Sequence, residues 1–316
     1  MKKLLLLFVA VIATSCSSDD PNPVAATNQT ESLSVLDGGL LSYKDDASFI
    51  KEYSTLSELK STKDLQDWIS KKGHSSFLNI STTNEELQDS IISNNRIIYS
   101  DALKSIINVD SKFKVNGEVI WLNEGNLFRL SEKNQDKNSQ ELKSLKNDLE
   151  VYGNVLGSLP QKVKGGNPTS RIVPNSNRSK EWTKYYRGPD GRDKVIILTL
   201  YNETIVLRGV INSSKMFLSC VTKGKYCSFW KCRWNDSSSP KNISIYIAGQ
   251  GSYNEWISYG GTNQAYYNIT ENFSLMIDSL NIYNGTTVDY PNYKVYGFVG
   301  VEVDGYPAWS QQLSWY

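Results

Sequence analysis

Two periodicities divide this chain. From residue 31 to about 151, apolar residues recur mainly at helical spacing. Leu56, Leu59, Leu65, Trp68 and Ile69 predict helical chain over 56–72. Thr83 followed by Glu86 has capping-box spacing and opens a second helix with Leu87, Ile91 and Ile92. Ala102, Leu103, Ile106 and Ile107 predict a third over 101–107. The period then shortens to two. Segments 113–115, 119–122 and 127–130 read as a small β-meander, turning at Asn116-Gly117 and Glu124-Gly125. Leu142, Leu145 and Leu149 predict an amphipathic helix over 139–152.

From Trp182 onward the chain reads as strand. Candidates are 194–201, 204–212, 215–221, 226–234, 242–248, 265–269, 273–283, 293–304 and 308–315. Turn signals stand at Asp190-Gly191, Lys223-Gly224, Asn284-Gly285 and Asp304-Gly305. Short, closely spaced strands argue for an antiparallel sandwich or barrel. Ile243, Ile245 and Ile247 share one face. Phe273, Leu275 and Ile277 alternate, and the phase then changes to Leu280 and Ile282, as a β-bulge near Asp278 would produce. Between the two regimes, 160–180 is rich in Gly, Pro, Asn and Ser and reads as a linker. The expected fold is α+β. A small, mainly helical domain with a β-meander (31–159) precedes an antiparallel β-sandwich (181–316).

The first residues carry a separate signal. Met1-Lys2-Lys3 precedes an apolar run of about ten residues and then Thr14-Ser15-Cys16. A membrane-spanning helix needs roughly 20 apolar residues, so 1–15 is a targeting segment outside the fold. It resembles a bacterial lipoprotein signal peptide. The resemblance implies acylation of Cys16, which becomes the mature N-terminus and ties the protein to a membrane. Ser17-Ser18-Asp19-Asp20 resembles the acidic export signal of surface lipoproteins in the Bacteroidota, and 16–30 reads as a flexible tether. The implied location is the outer membrane, facing the cell exterior. The run "ALKSIIN" followed by "KVNGEVIWLNEGNLFRL" resembles a helix-hairpin segment of uncharacterised lipoproteins of that phylum. It carries no catalytic residue and implies no activity.

Composition narrows the partners. The formal charge is +1, and losing Lys2 and Lys3 with the signal brings it to −1. Without a basic surface, nucleic acid is not expected as a partner. The 19 Tyr and 8 Trp fall mostly after position 180, which suits strands and also a surface where flat amphipathic rings contact sugars or proteins. There is no Walker loop, dinucleotide fingerprint, His-Glu-x-x-His or EF-hand loop, and no cofactor is expected.

Candidate chemistry is sparse. If the chain turns at 222–225, Cys220 and Cys227 lie opposite one another and form a disulfide. Cys232, with opposite parity, is then a buried free thiol. The alternative is that all these cysteines are unpaired. Three cysteines without a nearby histidine do not make a zinc site, and no metal is expected. His74, the only histidine, reads as a solvated helix-end residue. Glu181, Glu203, Glu255, Glu271 and Glu302 are available to a carboxylate pair, but sequence does not place them in space. The best remaining feature is Tyr253, Trp256 and Tyr259, in what reads as a Gly- and Ser-rich connection over 249–263. They form either a sugar platform or, as aromatics in such connections more often do, a cap on the sandwich. The leading expectation is non-catalytic binding of an extracellular glycan or protein partner. A surface hydrolase acting on polysaccharide or peptide is the alternative, and a structural envelope component is a third.

Overall fold

The computed structural model describes residues 32–79, 99–155, 179–228, 232–253, 255–282 and 291–315. Its class is the expected α+β: helices with short strands first, then largely antiparallel sheets. Strands β1 (Ser34–Asp37) and β2 (Leu40–Tyr43) precede helices α1 (Asp46–Ser57), α2 (Thr62–Lys72) and α3 (Asp101–Ile106). Each helix starts where a side-chain oxygen accepts a backbone N–H that the first turn leaves free. Asp45 accepts from Ser48 at 2.7 Å, Ser61 from Asp64 at 3.1 Å and Ser100 from Leu103 at 3.1 Å. The helical stretch expected over 56–72 therefore falls into two helices, with Ser61 capping the second. The helix expected from Thr83 lies outside the described residues.

The meander follows the sequence reading. Strands β3 (Lys112–Val115), β4 (Glu118–Asn123) and β5 (Asn126–Leu130) pair antiparallel. Asn116 and Gly117, at φ 55° and 77°, make the tight turn that matches strand twist. Beyond it the expected helix over 139–152 is shorter. It is α4 (Ser139–Leu145), and Glu150–Val155 is strand β6, paired with β5. Val151, Tyr152 and Val155 are strand formers, and the free edge of β5 supplies the ladder.

The second half is organised by one long hairpin. Strand β7 (Ser179–Arg187) pairs with β8 (Asp193–Leu207), which pairs with β9 (Val210–Cys227) through a turn at Arg208-Gly209, φ 49° and 77°. The separate strands expected over 194–201 and 204–212 imply a break after Tyr201. The chain instead stays extended, because the polar groups that look like a turn satisfy one another inside the ladder. Asn202 donates to Ser214 at 3.2 Å, and Thr204 donates to Asn202 at 2.9 Å. The turn expected at Lys223-Gly224 likewise lies within β9.

Strands β10 (Cys232–Asp236) and β13 (Phe273–Asn281) also pair with β9, and β6 pairs with the far end of β8 through Gly153↔Leu207 and Val155↔Ile205. One sheet thus runs β1-β2-β3-β4-β5-β6-β8-β9-β10, with β7 and β13 joined to β8 and β9. The expected linker, 160–180, lies outside the described residues but for its last two. A second sheet, in the order β12-β11-β14-β15, is formed by β11 (Lys241–Tyr253), β12 (Trp256–Ile269), β14 (Asn292–Val303) and β15 (Trp309–Trp315).

The sandwich core lies between the two sheets. Leu198, Leu200 and Leu218 face Ile243, Ile245, Ile247, Val299 and Val301. The bulge expected near Asp278 is present as a register shift between Met276 and Asp278, and it lets both Leu275 and Leu280 face this core. A separate core joins Phe49, Tyr53, Leu56, Leu103 and Ile106 of the helices to Phe113, Ile120 and Leu122 of the meander. Ile205 and Leu207 complete it, so β8 contributes to both cores.

Candidate functional site

Antiparallel sheets with one packed face normally turn polar side chains to water on the other. The four-stranded sheet departs from this rule. Its inner face carries the aliphatic stripe, and its outer face carries Tyr246, Tyr259, Tyr267, Tyr296 and Phe298, all exposed. Strand register defines their arrangement. Tyr246 of β11 lies between Asn263 of β12 and Phe298 of β14, with Gln312 of β15 beyond. The Tyr246 and Phe298 rings stack with centroids 5.6 Å apart, yet stay 54% and 47% exposed. One step along the strands, Ala248 has Gly261 on one side and Tyr296 on the other; one step further, Gln250 is flanked by Tyr259 and Lys294. In the opposite direction Ser244 lies between Ala265 and Gly300. Small residues thus leave the rings standing proud of the backbone, with amides and hydroxyls between them.

Backbone contact beneath the rings is close. Gly297, between Tyr296 and Phe298, has φ 154°, and a Cβ there would come within 2.1 Å of the Tyr246 carbonyl oxygen. Only glycine permits this pairing.

The expected aromatic trio is redistributed. Residues 249–263 are not a loop: they are the two arms of the β11–β12 hairpin, which turns between Tyr253 and Trp256. Strand alternation then decides each position. Tyr253 is 4% exposed and belongs to the sandwich core, so it is removed from the candidate site. Trp256 pairs with Tyr253 at the hairpin tip and is 73% exposed. Tyr259, 80% exposed, is the member that lies on the outer face. Tyr246, Tyr296 and Phe298 were missed, although the inward parity of Ile243, Ile245 and Ile247 already implies an outward Tyr246.

The cysteine pairing also differs. Cys227 and Cys232 face each other across β9 and β10 and form the disulfide, while Cys220 is a buried free thiol. A Cys220–Cys227 bridge is excluded because no turn separates them. They lie seven positions apart on one extended strand, roughly 23 Å at 3.3 Å per residue, far beyond disulfide reach. Burial pushes the Cys220 thiol up to about 12, with Lys241 pulling the other way. His74 is not solvated. It is buried, and burial lowers its pKa against the opposing pull of backbone carbonyls at Ile107, Ile106 and Ser105.

The glutamates are spread over the fold. Glu181 lies on β7, Glu203 on β8, Glu302 on β14, Glu255 at the β11–β12 tip and Glu271 between β12 and β13. Glu203 has a structural setting. Fully buried, it accepts from the Tyr53 hydroxyl at 2.7 Å, the Ser100 hydroxyl at 2.5 Å and the Ser100 N–H at 2.8 Å, tying α1 and the start of α3 to β8. Burial, then this carboxylate, raises the Tyr53 pKa well above its ordinary value. Opposite Glu203 in register, Lys215 donates to Ser279 at 3.0 Å. Burial lowers it to about 8, with Glu58 and Glu203 pulling the other way. Lys194 makes a buried ion pair with Asp304 at 2.6 Å.

Among the described residues, no group of three or more His, Cys, Asp or Glu side chains is placed to hold a metal ion. Cys16 lies outside the described residues. Comparison with known proteins finds no matching family model, no matching curated protein and no matching solved structure.

Proposed function

We propose that this chain is a lipid-anchored outer-membrane protein that binds an extracellular glycan, without catalysis, on the outer face of the β12-β11-β14-β15 sheet. The observation that carries the reading is that face. Its far side is already packed, so the exposed rings of Tyr246, Tyr259, Tyr296 and Phe298 serve no core. Rings interspersed with Asn263, Gln250, Gln312 and Ser244 suit a ligand that is apolar on its ring faces and hydroxylated at its edges. The anchor rests on the segment ending at Cys16. The Cys227–Cys232 disulfide accords with an oxidising compartment outside the cytoplasm.

The test is retention on a polysaccharide panel, scored together with product release. It uses the chain from Asp20 onward, which keeps the compact unit Leu33–Tyr316 whole. Retention without products is expected, with Tyr246→Ala weakening it at least tenfold, about 1.4 kcal/mol. Tyr185→Ala, which removes an exposed ring on β7 of the other sheet, is expected to leave it unchanged. Release of products would overturn the non-catalytic reading. Equal loss in both variants would overturn the site.

A further inference from the structure

The same face specifies a class of glycan. Building on the binding reading above, we infer that its ligand is an uncharged polysaccharide, held as an extended run of several sugar units rather than by a chain end. The first argument is charge. Strand β12 contains no Asp, Glu, Lys or Arg in its 14 residues, and β15 none in its seven. Lys241 of β11 points inward and is buried, donating to Thr222 and Thr270 at 3.1 Å. The outward charges on the four strands are Lys294 and Glu302, both on β14.

These two stand at opposite ends of the ring field. Lys294 is level with Gln250, and Glu302 is level with Asn242, whose amide donates to it at 3.2 Å. Everything between is aromatic, amide, hydroxyl or small. A uronic or sulfated polymer presents an anion at nearly every repeat and needs a matching row of cations. Here it would meet one lysine on the face, Lys294, a second, Lys180, at the β15 edge, where it donates to the Ser314 carbonyl at 3.0 Å, and a carboxylate at the other end. A cationic polymer meets the reverse mismatch. Uncharged hydroxyls lose nothing on this surface, because Asn263, Gln312, Gln250 and Ser244 offer both donors and acceptors.

The second argument is extent. From the level of Tyr259 and Gln250 to that of Asn242 is eight residues of β11, roughly 27 Å at 3.4 Å per residue. Tyr267 stands near that second end: it follows Tyr266, which packs inward on Phe273 and leaves Tyr267 to face outward. The stacked Tyr246–Phe298 pair lies midway. A single sugar ring covers one of these three stations, whereas an extended chain crosses all of them.

The experiment is affinity electrophoresis and pull-down of the chain from Asp20 onward against neutral polymers (β-glucans, mannans, xylans), acidic polymers (pectate, alginate, a sulfated galactan) and chitosan. Each is run at 50 mM and 1 M NaCl. Oligosaccharides of increasing length from a retained polymer are then titrated calorimetrically. The expected result is retention on a neutral polymer that changes less than twofold with salt. Affinity should rise at least tenfold from disaccharide to hexasaccharide, and that gain should disappear in Tyr259→Ala. Retention confined to charged polymers, or abolished at 1 M NaCl, would overturn the inference while leaving glycan binding standing. So would full affinity already present in a disaccharide. If no polymer of any charge is retained by a chain whose circular dichroism shows the folded β-rich protein, the binding reading fails as well.

Discussion

Removing the Tyr53 hydroxyl tests the junction between helices and sandwich most directly. Tyr53→Phe keeps the ring in its core and deletes one donor to Glu203, a bond of 2.7 Å to a buried carboxylate. Hydrogen bonds to charged groups contribute about 1.5–3 kcal/mol, and little of this is recovered here because water does not reach Glu203. In a unit of this size each kcal/mol moves the melting temperature by about 2–4 °C, so a fall of about 3–12 °C is expected. Ser100→Ala removes a second donor to the same Oε1 and also the α3 cap, so it costs at least as much. Because both hydroxyls meet one oxygen, the double variant should be non-additive by more than about 0.5 kcal/mol. Glu203→Ala strands three buried donors and is the most damaging of the set. The assays are thermal unfolding for the melting temperatures and urea unfolding for the additivity test, both followed by tryptophan fluorescence and far-ultraviolet circular dichroism. A Tyr53→Phe protein within 1 °C of wild type, or strict additivity with Ser100→Ala, would refute the assignment of Glu203 as the junction.

Four further outcomes are expected. Lys215 is lowered by burial to about 8 in the folded chain and regains an ordinary pKa on unfolding, so the unfolded state binds more protons between about pH 8 and 10. Wild-type stability should therefore rise with pH across that window relative to Lys215→Met, by up to about 3 kcal/mol, and parallel urea midpoints at pH 7 and 10 would contradict this. Thiol titration of the chain from Asp20 onward, without reductant, should find no reactive group when native even at pH 9 and one, Cys220, in guanidinium. Reducing Cys227–Cys232, which closes a short loop, should cost about 2 kcal/mol by the loop-entropy rule. Gly297→Ala places a Cβ against the Tyr246 carbonyl at a φ unfavourable to other residues, so it should cost at least about 2 kcal/mol and diminish any ligand binding at the Tyr246–Phe298 pair, read by thermal shift and retention together.

Legibility in the sequence followed the strength of local signals. The meander was readable because Asn116-Gly117 and Glu124-Gly125 each force one turn geometry, and the bulge near Asp278 was readable from a change of parity in a single strand. The continuity of β8 was not. Asn202, Glu203 and Thr204 look like a turn to any local rule, and only Ser214 across the hairpin and Tyr53 and Ser100, distant in sequence, make them compatible with burial. The cysteine pairing failed for the same reason, since an expected turn at Lys223-Gly224 decided it. The aromatic trio was found by composition and split by alternation. Parity was the better guide: applied to β11 and β14 it leads to Tyr246, Tyr296 and Phe298.

The pairing of β6 with β8 bears on how this protein can be used or recombined. The change of composition near 160–180 invites excision of the sandwich as a portable module. Such a fragment would carry an open strand edge at 205–207, with Ile205 and Leu207 stripped of their neighbours and Glu203 stripped of its donors. Exposed β edges of this kind recruit other chains. A cut at 160–180 therefore separates β8 from β6, and a graft of the ring-bearing face onto another scaffold has to bring the β11–β12 and β14–β15 hairpins together with a cover for their aliphatic inner face.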